Sequence, residues 1–78
     1  MKVVIKVYDK VKYNKDSKKI ADVFYDITDY KVTTNEKEVL KDTDGSCVDE
    51  YHEYLILKLT DGNTATFCNS HVDMFRIN

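Results

Sequence analysis

From Lys2 to Tyr8 apolar and polar side chains alternate, with Val3, Ile5 and Val7 on one side and Lys2, Val4, Lys6 and Tyr8 on the other. A period of two is that of a half-buried strand, so the pattern predicts one here. Residues 9–19 hold only Val11 and Tyr13 as apolar positions among Lys, Asn, Asp and Ser, and predict a connecting loop. The stretch from Ile20 to Thr34 fits two templates. Ile20, Val23, Phe24 and Ile27 fall at helical spacing behind a Ser17 cap, while Ala21, Val23, Tyr25 and Ile27 alternate. Its density of β-branched and aromatic residues favours a long or bent strand. A helix over about 17–27, which would make the fold α+β, is the alternative. Asn35 and Glu36 read as a turn, Lys37 to Leu40 as a short returning strand, and residues 41–50 as a polar loop with Asp42, Asp44, Gly45, Ser46 and Asp49.

The last third carries the clearest pattern. Leu55, Leu57 and Leu59 alternate with Ile56 and Lys58, Asp61-Gly62 signals a turn, and Thr64 to Cys68 resumes strand composition. Facing residues of a ladder share one side of the sheet, which makes the register testable from sequence. A two-residue loop would pair Leu55 with Cys68 and leave Phe67 on the face away from the leucines. A three-residue loop, Thr60-Asp61-Gly62 with Gly62 left-handed, pairs Leu57 with Ala65 and Leu55 with Phe67, and is preferred because it gathers the apolar side chains.

Ser70 followed by Asp73 has the spacing of a capping box, and predicts one helical or 3₁₀ turn over His71 to Phe75, with Phe75-Arg76-Ile77 as a closing strand. Together these elements predict an all-β fold. It is a single small meander, an SH3-like or open barrel of five to six short strands with one helical turn near the C-terminal end. That comparison is one of layout, with no family motif behind it.

Seventy-eight residues make one β-rich domain, 1–78, and a chain this short buries only about 60% of the surface its unfolded form exposes. A metal, a disulfide or a partner subunit would add to so thin a margin. The stretch Met1 to Val7 is too short and too interrupted by lysine to be a signal-peptide core, and no apolar run approaches the roughly 18 residues of a spanning helix. The expectation is a cytoplasmic protein with no membrane contact. In a reducing compartment Cys47 and Cys68 would be free thiols or metal ligands rather than a bridge.

The net charge of −2 divides unevenly: residues 1–20 carry seven lysines against Asp9 and Asp16, and residues 21–78 hold five basic against twelve acidic side chains. Bulk duplex binding, which neutralises many phosphates, is disfavoured by that balance. A narrower nucleic-acid reading survives in Lys6, Tyr8, Lys10, Lys12, Tyr13 and Lys15, where charge interleaves with stacking surface as in single-strand binders. The plain alternative is a first strand edged with lysine against aggregation.

Cys47, His52, Cys68 and His71 comprise every cysteine and histidine in the chain, and two of each satisfy a tetrahedral zinc. Cys-x4-His is not a usual ligand spacing, so zinc is the alternative and no cofactor the expectation. Cys68, His71 and Asp73 make a weak nucleophile–base set at a strand end, and the acidic stretch 42–50 lacks the calcium-loop spacing. No enzyme activity is expected. The remaining chemistry is a protein surface: Tyr54 and Ile56 lie on the face opposite the leucines, with Tyr51 close by. The function expected is therefore a non-catalytic interaction module acting by protein–protein binding or homo-oligomerisation, of a size and Asn, Lys and Tyr richness that would suit a small bacterial or mobile-element accessory protein. A zinc-stabilised domain and a single-stranded nucleic-acid binder are the alternatives.

Overall fold

The computed structural model describes residues 1–42 and 53–78, with 40–42 described by their backbone alone. The described residues form strands β1 (Lys2–Tyr8), β2 (Lys19–Thr33), β3 (Tyr54–Leu59), β4 (Thr64–Cys68) and β5 (Val72–Arg76). A short helix α1 (Glu36–Asp42) follows β2, and a 3₁₀ turn at Asn69–His71 joins β4 to β5. All four pairings are antiparallel, in the order β4-β3-β2-β1-β5. The protein is all-β, a single open five-stranded antiparallel sheet rather than the expected SH3-like barrel: β4 and β5 end the sheet on opposite edges instead of closing on each other.

The long strand β2 makes the bend. Its first part, Lys19 to Asp26, pairs with β1, and from Ile27 it pairs with β3. A register shift between Ile27 and Asp29 inserts one residue where the partner changes, and such a bulge turns a strand and increases its twist. The facing parity shifts there: Tyr25 and Ile27 belong to the core before the bulge, whereas Tyr30 and Val32, which lie opposite Leu57 and Leu55, stay exposed where the sheet remains open. Val3 and Ile5 from β1, Val72 from β5 and Ile27 from β2 pack with Leu55 and Leu57 from β3. Tyr25 meets Phe67 edge-on at 5.9 Å between ring centroids, which ties the first half of β2 to β4. The strand reading of this segment holds because Ile20 and Phe24, half of the helical stripe, are exposed, while the alternating set points inward.

The hairpin has the preferred register. Leu57 lies opposite Ala65 and Leu55 opposite Phe67, Leu59 N–H donates to Asn63 O, and Gly62 closes the three-residue loop at φ 91°. Only glycine takes that conformation without a Cβ penalty.

Two local expectations are corrected. Lys37 to Leu40 is helical, not a strand, because the Asn35 side chain accepts from Lys37 N–H while its carbonyl accepts from Glu38 and Val39 N–H. Glu36 and Glu38 then sit in the first turn, where the helix dipole favours them. The 3₁₀ turn comes two residues before the expected His71, with no side-chain cap, because Val72 is already a strand residue, buried and paired with Val7. Nor is β1 an edge. It lies between β2 and β5, so its lysines do not serve as edge guards.

Candidate functional site

The outer face of the β2-β1-β5 half carries an open aromatic surface. Val4 at its centre pairs with Phe24 on one side and Phe75 on the other, so three apolar side chains form one row across three strands. Val4 is buried in that row, while Phe24 is 67% and Phe75 47% exposed. The rows above and below are charged: Lys6 lies between Asp22 and Asp73, and Lys2 lies opposite Asp26. Lys6 Nζ stands 4.6 Å from the Phe75 ring centroid, a cation–π contact that holds the ring against the sheet. At the Lys2 end an open cleft is lined by Phe24, Asp26 and Ile77, the last also exposed.

The aromatic face expected at Tyr54 and Ile56 is elsewhere in the fold and is not a surface. Both residues are 0% exposed and form a second cluster with Val39 of α1. The helix is held to this side of the sheet by an ion pair between Lys31 and Glu38 and by a Thr33 Oγ1–Glu38 Oε2 hydrogen bond of 3.3 Å. The third member of that set, Tyr51, lies outside the described residues. A signal for the cover was present in the sequence: Asn35-x-x-Glu38 is an N-cap followed by an acid at the capping-box spacing. Phe24 and Phe75 carry no such signal, because the strip that pairs them with Val4 exists only once β5 has returned to β1.

The basic strip does not stay together. Lys6 sits over Phe75, and Lys12 turns to β5, where its Nζ donates to Val72 O at 3.0 Å and pairs with Asp73 Oδ1 at 3.1 Å. Tyr8 hydrogen-bonds to the same Asp73 carboxylate, which raises its phenol pKa above the ordinary value. Lys10, Tyr13 and Lys15 are exposed on the loop between β1 and β2. Three of the six candidate residues thus converge on β5 through contacts within the chain.

The zinc set meets a chemical obstacle. Cys68 is disulfide-bonded, which removes the thiolate a metal would need and corrects the expectation of free cysteines. The sequence has one other cysteine, Cys47, which with His52 lies outside the described residues. His71 ends the 3₁₀ turn, and no cluster of three metal-ligating side chains occurs among the described residues. The acidic stretch from 43 onward also lies outside them.

The loop between β1 and β2 is shaped by Asp9. Its carboxylate accepts from Lys18 N–H at 2.8 Å and from Ser17 Oγ at 3.3 Å, and the Lys18 bond is the chief cause of a pKa below the ordinary aspartate value. A depressed pKa means the folded loop prefers the charged form, so this contribution is present above the unfolded pKa and is lost as pH falls through the folded one. In an acid titration followed by NMR, the Lys18 amide shift is expected to move with a midpoint below 3.8. A midpoint at or above the ordinary value would show that the bond does not form in solution.

The β5 edge and the overhanging part of β2 are each partly blunted. Ile77 N–H donates to Lys2 O, so the alternation of an antiparallel ladder turns the backbone groups of Val72, Met74 and Arg76 to the open side of β5. Lys12 occupies Val72 O on that side. Where β2 runs past the start of β1, Tyr30 N–H is taken by the Asp29 side chain at 2.8 Å. Charged groups placed on open strand edges discourage pairing with another chain. No helix among the described residues is long and apolar enough to cross a membrane. Comparison with known protein families, curated proteins and solved structures finds no match to this chain.

Proposed function

We propose that this protein is a non-catalytic interaction module that docks through the outer face of β2-β1-β5. The observation that carries the reading is the row Phe24–Val4–Phe75, with two large aromatic rings open to solvent and a charged border on either side. Aromatic anchors inside a polar rim are the usual composition of a binding hot spot, because the rim excludes water from the rings once a partner is seated. The bonded Cys68 and the Asp73 carboxylate shared by Lys12 and Tyr8 leave little of the imagined Cys68–His71–Asp73 set for catalysis, which supports the non-catalytic reading. The bonded Cys68 weighs against a location in a reducing cytoplasm, where thiols are held reduced.

A photoreactive phenylalanine analogue at position 24, expressed in the source cell, tests the reading. A protein adduct is expected from position 24 and not from position 61 at the exposed hairpin tip. Equal labelling from both positions, or none from position 24, would overturn it.

A further inference from the structure

The guard on the β5 edge is partial. Lys12 holds Val72 O, but no hydrogen bond among the described residues reaches the outward N–H and C=O of Met74 and Arg76. Open groups of this kind on an edge strand are a template for another strand. The guard also limits the register in which β5 could pair with its own copy, antiparallel about a two-fold axis. Centred on Met74, the ladder needs Val72 opposite Arg76 and meets Lys12. Centred on Asp73, it needs Val72 again and sets one Asp73 carboxylate directly against the other, a destabilising pair. Centred on Phe75, it sets Met74 opposite Arg76 of the second copy and Arg76 opposite its Met74. Each such pair exchanges both of its N–H···O bonds, so the open groups are all used and Lys12 stays in place.

The side chains agree with that register. The exposed Phe75 meets Phe75 of the second copy at a non-hydrogen-bonded position, where Cα atoms are about 4.5 Å apart and side chains lie closest, and aromatic pairs there are favourable. On the same face Asp73 falls opposite the exposed Ile77 of the second copy, and on the other face Arg76 falls opposite its Met74. No like charges lie directly across the axis. The row Phe24–Val4–Phe75 runs on into the same row of the second copy, apolar against apolar.

We infer that this protein self-associates edge to edge, β5 against β5 of a second copy, about a two-fold axis at Phe75. The contact is short and belongs to the small, weak end of specific interfaces. It goes beyond the docking reading above, which concerns the face of the sheet and not its edge. Sedimentation equilibrium of the purified protein from about 1 µM to about 1 mM, a span covering weak to moderate affinities, should show a monomer–dimer equilibrium. Arg76→Pro should remain monomeric with an unchanged circular dichroism spectrum, because proline removes an outward N–H and spares the bonds from β5 to β1. Phe75→Lys should also remain monomeric, since it sets like charges directly opposite each other. Phe24→Ser, which alters the face and not the edge, should dimerise as the wild type does. A wild type that stays monomeric throughout, an Arg76→Pro variant that still dimerises, or a dimer lost in Phe24→Ser would each overturn the inference. Should an edge variant fail to fold, Phe75→Cys decides: a Cα separation of about 4.5 Å is within reach of a disulfide, so under mild oxidation peptide mapping should find position 75 of one copy bonded to position 75 of the other, and the absence of that bond would be equally decisive. A monomeric wild type that still gives an adduct from position 24 in cells would refute the edge dimer and leave the docking reading standing.

Discussion

Replacing Leu57 with alanine is expected to cost about 2–5 kcal/mol, the range for deleting a fully buried leucine from a packed core. Leu57 is 0% exposed, sits in the cluster that joins β1, β2, β3 and β5, and lies opposite Tyr30 on one side and Ala65 on the other. At about 0.05–0.15 kcal/mol per residue the whole chain has roughly 4–12 kcal/mol of stability, so the loss is a large part of the total. The denaturant midpoint should fall steeply, with the variant partly unfolded before denaturant is added if the chain lies at the low end. Val32→Ala, half-exposed on the same inner side where the sheet stays open, should change stability by no more than about 0.5 kcal/mol. A Leu57→Ala cost as small as that of Val32→Ala would mean that the two halves of the sheet do not share one core.

Reduction of the Cys68 disulfide, or Cys68→Ser, should destabilise the fold by about 2–4 kcal/mol. Cys68 ends β4 opposite Tyr54, which is buried beside Val39 of α1, so the bond is anchored at the end of the second cluster. A bond to Cys47, the only other cysteine in the sequence, would close a loop of about twenty residues, for which chain entropy alone accounts for about 3 kcal/mol. Thermal melting with and without reductant reads the effect. The wild type should lose stability on reduction, and Cys68→Ser should be insensitive to it. A wild-type melt unmoved by reductant would remove the bond from any account of stability. Alkylation in intact cells adds the compartment: Cys68 labelled before reduction indicates a reducing cytoplasm, and labelling only afterwards indicates an oxidising location.

How far the fold was legible depends on the range of the interaction behind each element. The strand Lys2–Tyr8 and the hairpin around Gly62 are local. Alternation, a turn dipeptide and the preference for apolar side chains on one face suffice to place them, down to Leu55 opposite Phe67. The segment after Thr33 is less legible because Lys37 to Leu40 has no strong period, and its conformation is settled by the Asn35 cap, a residue type that suits a turn equally well. The candidate site was the least legible part. Tyr54 and Ile56 have the composition of an interface, yet a strand pattern with apolar residues on both faces does not say which face a later element will cover.

By itself the sequence determined that the chain is β-rich, that leucines line the inner face of the hairpin, and that Val3 and Ile5 point to a core. Side-chain period and turn chemistry act over a few residues, and they are enough for those conclusions. The tertiary structure alone decided which apolar residues are surface. The bulge near Thr28 sends β2 from β1 to β3, α1 covers Tyr54 and Ile56, and β5 returns to β1 to place Phe75 in line with Val4 and Phe24. Burial of a side chain is a property of what lies opposite it, and here the opposing segments are separated along the chain from the residues they cover.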